Sequence, residues 1–118
     1  SFSEYGYQGR TPTAFQFGGG QCYLSLSAYE HAGACTLLVF RGLEEPVQAQ
    51  AEERIVSLSG SGGTVGALLD QQLVLFDAAT GQELARAEAG SDAKSIALSS
   101  ESAAYVLGVS EIRRLQVR

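Results

Sequence analysis

The sequence has few of the residues from which metal and redox centres are built. Its 118 residues include one histidine and two cysteines, and there is neither methionine nor tryptophan. One His and two Cys cannot supply the four ligands of a His/Cys zinc site. We therefore predict no metal and no cofactor.

Basic residues and long apolar runs are also scarce. Eight Lys and Arg residues stand against thirteen Asp and Glu residues, which gives a formal net charge of −5. Such an acidic surface repels a phosphate backbone, so nucleic acid is excluded as a partner. The longest uninterrupted apolar run, Ala103–Leu107, is too short to cross a bilayer, and we predict no membrane contact by this segment itself.

The chain begins with Ser1, Phe2 and Ser3 and carries no recognisable signal peptide. We interpret it as a processed product or as one domain of a longer protein. What is present is globular in composition, with 45 % apolar and 18 % charged residues. The length predicts a single domain over residues 1–118.

An apolar pattern recurs about every 40 residues, the period of a four-stranded propeller blade. Residues 56–65 align without a gap on residues 96–105, and residues 15–20 fall on the start of the same pattern. Each copy has alternating apolar residues, a Ser/Gly turn and a second apolar stretch, which is typical of β-hairpins. We predict three units, of about residues 14–53, 54–92 and 93–118.

Each unit continues with a third and a fourth strand. A turn follows the third strand at residues 77–81, where Asp77 can cap the backbone and Gly81 can adopt a positive φ. The fourth strands are predicted at residues 47–51 and 82–88, although Ala, Glu and Gln at residues 47–53 and 82–88 favour helix. The fold class is therefore predicted as all-β, a partial β-propeller of four-stranded antiparallel repeats. A small α+β domain or a β-sandwich is the alternative.

The segment 73–84, with the letters LVLFDAATGQEL, resembles the third-strand, turn and fourth-strand region of quinoprotein-like and Trp-Asp-like propellers. A longer resemblance is to the C-terminal blades of a bacterial membrane-anchored β-propeller family of unknown function. It implies an extracytoplasmic, extracellular protein that is anchored through an upstream segment, and it supplies no catalytic residues. The stretches that carry it are residues 15–26, 33–40, 55–59, 93–98 and 112–117.

The pattern departs from a complete propeller in the number of units. Propeller rings close with four to eight blades, whereas three units are present and the last has only three strands. Residues 1–13 are predicted as a closing strand or a linker, because Phe2, Tyr5 and Tyr7 can pair while Pro12 weakens a strand. Three arrangements stay open: the end of a longer propeller, a ring of several copies, or a compact sandwich or barrel.

The histidine and the cysteines are the first candidates for chemistry. His31 lies beside Glu30 in the loop predicted at residues 29–34, and it lacks the partner that an acid/base pair needs. We interpret it as a solvated loop residue. A hairpin that turns about residues 31–32 places Cys22 opposite Arg41 and Cys35 opposite Ala28. That register favours two small buried thiols over a disulfide.

The Ser/Gly-rich segments and the acidic residues are the remaining candidates. Residues 18–20, 57–63 and 99–102 have neither the phosphate-loop pattern nor the G-x-S-x-G elbow, so we predict turns there. The acidic residues do not form a calcium loop, and we interpret them as an acidic surface. These are Glu44, Glu45, Glu52, Glu53, Asp70, Asp77 and Asp92.

The sequence assigns no catalytic, cofactor-binding or metal-binding residue. We predict a non-catalytic β-propeller fragment, not an enzyme, that offers a binding surface to an unknown protein or small ligand. One alternative is part of a quinoprotein-like enzyme whose site lies in other blades. The other is a self-assembling structural unit, with a homo-oligomer or further blades of the same parent chain as its partners.

Overall fold

The computed structural model describes residues 4–28, 31–42 and 44–118, with the side chains of residues 28, 31 and 32 left aside. Over these ranges the chain forms eleven β-strands and no helix. The strands are β1 (Thr11–Gly18), β2 (Gln21–Ala28), β3 (His31–Phe40), β4 (Val47–Ala51), β5 (Ser57–Ser61), β6 (Thr64–Leu68), β7 (Gln72–Asp77), β8 (Glu83–Glu88), β9 (Ser95–Leu98), β10 (Ala103–Leu107) and β11 (Ile112–Gln116).

The strands form three antiparallel sheets in which consecutive strands are neighbours. The first sheet has the order β1-β2-β3-β4, the second β5-β6-β7-β8 and the third β9-β10-β11. The second and third sheets lie within the predicted units 54–92 and 93–118. The first sheet begins at Thr11, slightly before the predicted unit 14–53.

The all-β prediction is confirmed, and the α+β alternative is wrong. The Ala- and Glu-rich segments at residues 47–53 and 82–88 contain the strands β4 and β8. In β4 the side chains of Ala49 and Ala51 are buried, whereas Gln48 and Gln50 are exposed. This alternation is the period of a strand, and pairing with β3 outweighs the helix propensity of so short a segment.

Tight turns join the strands within the sheets. Gly19 and Gly20 connect β1 to β2, and both have a positive φ, as a two-residue type I′ turn requires. After β7, the Asp77 carboxylate accepts the backbone N–H of Ala79 at 2.8 Å, and Gly81 has a φ of 81°. The predicted capped turn is thus present.

Two buried clusters hold the sheets together. One lies between the first and second sheets, and the other lies between the second and third. The first cluster contains Tyr23, Cys35, Leu37, Val39, Ala49, Ala51, Ile55, Leu58, Val65, Ala67, Leu69, Val74, Phe76 and Ala78. The second contains Leu68, Leu73, Leu75, Ala89, Ile96, Ala104 and Val106.

The described residues before β1 lie on the outer face of the first sheet. The ring of Tyr5 packs edge-on against Phe40, with centroids 5.6 Å apart, beside a small cluster of Leu24, Leu26 and Leu38. Residues 4–10 form no strand, and β11 has only β10 as a neighbour in the described sheets. Residues 11–13 belong to β1, and Tyr5 packs on an apolar face of its own sheet, so residues 4–10 add no strand to the third sheet. Phe2 lies outside the described residues.

The described part of the chain has no helix with the length and apolar character needed to span a membrane.

Candidate binding surface

The third sheet has an outer face that no other described element covers. The side chains of Tyr105, Leu107 and Ile112 are 41 %, 50 % and 64 % exposed, and they surround Ala97 in a shallow apolar depression. A contiguous exposed apolar patch on a folded protein marks an interaction site more often than scattered apolar residues do. We call this surface the outer face of the third sheet.

Strand pairing explains why these side chains share one face. Tyr105 in β10 pairs with Ala97 in β9, and Leu107 pairs with Ile112 in β11. Side chains of directly paired residues lie on the same side of a sheet. The intervening residues Ala104 and Val106 therefore point the other way and are buried against the second sheet.

The outer face repeats a surface that is buried one sheet earlier. In the second sheet, Leu68 pairs with Leu73 at the end of the β6–β7 hairpin, and both are buried against the third sheet. Leu107 and Ile112 form the corresponding pair at the end of the β10–β11 hairpin. In the second sheet these positions are covered by the third sheet, whereas in the third sheet the corresponding positions are exposed to solvent.

The contact between the second and third sheets includes hydrogen bonds from one sheet to side chains on the face of the other. The hydroxyl oxygens of Ser57 and Ser59 accept the backbone N–H groups of Ile96 at 3.1 Å and of Leu98 at 2.8 Å. These N–H groups lie on the edge of β9 that faces away from β10, where none of the described strands pairs with it. The first strand of one sheet is therefore held by side chains on the first strand of the preceding sheet.

A carboxylate adds a second link between the same two sheets. The Glu101 side chain, in the turn between β9 and β10, accepts the backbone N–H of Gly63 at 2.8 Å. Gly63 lies in the corresponding turn between β5 and β6. The turns of the two sheets are therefore connected as well as their strands.

A bidentate ion pair ties the third sheet to the loop after β8. The Arg113 guanidinium donates to both Asp92 carboxylate oxygens, at 2.8 and 3.2 Å, and to the carbonyl of Ala89 at 2.9 Å. Hydrogen bonding to Arg113 lowers the pKa of Asp92 below its ordinary value, and the same bond raises the pKa of Arg113. The neighbouring Arg114 is exposed and lies on the outer face, since it pairs with Tyr105.

Two of the acidic residues are linked by Arg86 in β8. Its guanidinium lies 2.7 Å from a carboxylate oxygen of Glu83 and 2.8 Å from one of Glu52, and it also bonds to Gln72. Hydrogen bonding to Arg86 lowers the pKa of both glutamates. The group connects the end of the first sheet to the second sheet.

The other acidic candidates are not drawn together. The residues Glu44, Glu45, Glu53 and Asp70 are exposed. Within the described ranges, no three His, Cys, Asp or Glu side chains are grouped so that they could hold a metal ion.

The sequence analysis predicted that His31 lies in a loop at residues 29–34, and this prediction is wrong. The backbone of His31 begins β3 and pairs with Ala28, because β2 and β3 continue past the predicted loop boundary. A register shift between Ser27 and Ala28 accommodates this extension. The His31 side chain, and Glu30 with it, lie outside the described residues.

Both cysteines are free thiols, as predicted, but only Cys35 is buried, whereas Cys22 is partly exposed. Their partners in the hairpin also differ from the predicted ones. Cys22 lies opposite Phe40 and Cys35 opposite Ser27, one residue from the predicted positions in each case. Cys35 is buried towards the second sheet and accepts the backbone N–H of Ile55. Cys22 lies on the opposite side of the first sheet, so the two thiols cannot meet.

The Ser/Gly segments connect first to second strands, with one correction. Residues 18–20 and 99–102 include the expected turns, but Ser57–Ser61 is strand β5, so only residues 62–63 form the turn of that hairpin. The sequence analysis missed the hydroxyls of Ser57 and Ser59 as contacts between sheets. The signal that could have found them is their alternation around the apolar Leu58.

Comparison with known proteins supports the architecture alone. No protein-family model matches the chain, and no curated protein matches it either. Among solved structures, the chain is similar to the computationally designed Ika4 protein, with a TM-score of 0.53 and 10 % sequence identity. The match covers 92 % of each chain. At this identity the likeness concerns the fold, so the resemblance to a membrane-anchored propeller family stays a prediction.

Proposed function

We propose that this chain forms part of a β-propeller and acts as a non-catalytic binding module. Its partner is a further β-sheet that packs on the outer face of the third sheet. The successive packing of three antiparallel sheets, with the third held to the second through its first strand, supports the propeller part of this proposal.

One observation carries the binding part of the proposal. Leu107 and Ile112 occupy the positions that Leu68 and Leu73 occupy in the second sheet, where the next sheet covers them. Leaving such residues in water forfeits the free energy of burial, about 25 cal/mol for each Å² of apolar surface. A sheet with a similar apolar face would recover that free energy here.

The proposed setting is extracytoplasmic, with attachment to the membrane through a segment upstream of this chain. This part rests on the sequence resemblance over residues 15–117 and on no contact in the structure.

The proposal is tested with the fluorescent apolar probe 8-anilinonaphthalene-1-sulfonate at a protein concentration where the chain is monomeric. We expect Leu107→Asp to lower the probe fluorescence relative to the wild-type chain, because the charge lies within the apolar depression of the outer face. The matched control is Leu84→Asp, which alters an exposed leucine of β8 in the second sheet. Equal probe binding by the wild-type chain and both variants would overturn the proposal.

A further inference from the structure

We propose that the sheet that packs on the outer face of the third sheet is the first sheet of a second copy of this chain. The two copies then associate head to tail. This inference rests on the proposed function and names the partner of the same surface. Three features of the chain favour this partner: the exposed phenylalanines of β1, the distribution of charge, and the way sheets already pack within one copy.

The opposite end of the molecule carries a second exposed apolar surface. Phe15 and Phe17 in β1 are 68 % and 67 % exposed. Phe15 pairs with Leu24, and Phe17 pairs with Cys22, so both rings lie on the side of the first sheet that faces away from the second. Large aromatic side chains so exposed on one strand are typical of an interface.

Phe15 and Phe17 occupy positions in the first sheet that correspond to those of Ile96 and Leu98 in the third sheet. Ile96 and Leu98 lie on the first strand of the third sheet and face the second sheet, close to Gly66. Phe15 and Phe17 lie on the first strand of the first sheet and on the corresponding side. In a head-to-tail pair, the β1 phenylalanines of one copy would cover Ala97 and the neighbouring residues of the other.

The contact does not require the segment before β1 to move. Tyr5 covers Leu24 and Leu38 in the middle of the first sheet, whereas Phe15 and Phe17 stay exposed. Within one copy, the bonds from β5 to β9 show that first strands take part in the contact between consecutive sheets. A contact centred on β1 is therefore consistent with the packing already present.

Charge favours head-to-tail over face-to-face association. Residues 93–118 contain four basic and two acidic residues, whereas residues 1–53 contain two basic and six acidic residues. Arg114 lies on the outer face of the third sheet. Exposed Glu4, Glu44 and Glu45 lie near Tyr5 and Phe40 on the first sheet. Opposite charges attract across such an interface, whereas two third sheets packed face to face would each present Arg114 to the other.

In a closed dimer, both exposed apolar surfaces of each copy are buried, the one on the third sheet and the one on the first. A head-to-tail interface forms a ring if its rotation closes and a filament if it does not. Two copies bring six sheets together, which falls within the four to eight blades of known propellers. We therefore expect a particle of two 12.4 kDa chains rather than an open series.

The inference is tested by light scattering after size exclusion, using two variants that each damage one end. Leu107→Asp damages the third-sheet end, and Phe17→Asp damages the first-sheet end. We expect the wild-type chain to be dimeric and each variant alone to be monomeric. Mixed in equal amounts at high concentration, the variants should form a dimer, because one intact face of each remains. Leu84→Asp, the control, should keep the wild-type mass.

Three results would overturn head-to-tail association. They are a folded wild-type monomer at every concentration, a dimer of Phe17→Asp alone, and a mixture of the two variants that stays monomeric. A far-ultraviolet circular dichroism spectrum with the wild-type β signal shows that each variant is folded. A monomeric wild type with Leu107-dependent probe binding overturns this inference and leaves the proposed function standing. A monomer without such binding overturns both.

Discussion

The side-chain hydroxyl of Ser59 accepts the backbone N–H of Leu98 at 2.8 Å, and so the first strands of two sheets are joined. Unpaired backbone groups on an edge strand are costly when buried and can lead to aggregation when exposed. Ser57 gives Ile96 the same partner. The two serine hydroxyls therefore accept the backbone N–H groups on this edge of β9, as the carbonyl groups of a neighbouring strand would.

The first prediction concerns this contact. We expect Ser59→Ala to lower the free energy of unfolding by about 1–2 kcal/mol, because the Leu98 N–H would lose its partner in a partly buried position. Urea denaturation followed by circular dichroism measures the change. The control Ser110→Ala alters an exposed serine and should shift stability by less than about 0.5 kcal/mol. Equal losses in the two variants would contradict the assigned role of Ser59.

Much of the fold could be predicted from local signals in the sequence. The alternation of apolar residues predicts strands over most of the described chain, and the Gly and Asp residues of the turns predict where hairpins close. The capped turn after β7 is an example, since Asp77 and Gly81 have the predicted roles. Such features depend on residues that are close in the chain.

Features that depend on distant residues could not be predicted. The ungapped alignment places Ser57 on Ala97, whereas strand pairing places Ser57 opposite Leu68 and Ser95 opposite Leu107. The turn between β9 and β10 is longer than that between β5 and β6, so an alignment without a gap cannot match both strands of the two hairpins. The packing of Tyr5 on Phe40 is also a contact between distant parts of the chain.

The sequence indicates the strand that carries the candidate binding surface but does not indicate the surface itself. The apolar run Ala103–Leu107 is typical of a strand that is buried on both sides. The sequence analysis used this run only to exclude a membrane span and drew no inference about the two faces of β10. The sequence alone could not tell which of the two faces is left without a partner.

The second prediction concerns the close approach of Gly60 to Tyr23. A Cβ atom at Gly60 would overlap the Tyr23 ring, which is buried between the first two sheets. We expect Gly60→Ala to lower the free energy of unfolding by about 1–3 kcal/mol through overpacking. Gly18→Ala is the control, because open space surrounds that position. A Gly60→Ala variant as stable as the wild-type chain would show that Tyr23 can rotate away without cost.

The third prediction concerns the reactivity of the two thiols. Burial raises the pKa of Cys22, so less of its reactive thiolate is present near neutral pH. Cys35 is buried within the core. With Ellman's reagent at pH 7.5 we expect slow labelling of Cys22, no labelling of Cys35 in the native chain, and two reactive thiols in urea. Cys22→Ser should abolish the native reaction. If no thiol of the wild-type chain reacts after unfolding in urea, the two cysteines form a disulfide.

The fourth prediction concerns the pH dependence that Asp92 and Arg113 create. Because Arg113 lowers the folded-state pKa of Asp92, the folded chain favours the ionised carboxylate more than the unfolded chain does. This contribution is complete above the ordinary carboxyl pKa and is lost as the pH falls through the lowered one. We expect the urea midpoint of the wild-type chain to exceed that of Asp92→Asn at pH 7. The difference should shrink towards about pH 3, where aspartate becomes protonated.

Other carboxylates titrate in both proteins, so the difference between the two midpoints isolates Asp92. Arg113→Lys provides a second comparison, because lysine keeps the charge but cannot form the bidentate pair and also loses the bond to the Ala89 carbonyl. Its midpoint should fall between those of the wild-type chain and of Arg113→Met at pH 7. The differences should narrow at low pH without vanishing, because the bond to the Ala89 carbonyl does not depend on pH. A midpoint difference between wild type and Asp92→Asn that stays constant from pH 7 to about pH 3 would show that the ion pair does not contribute to stability.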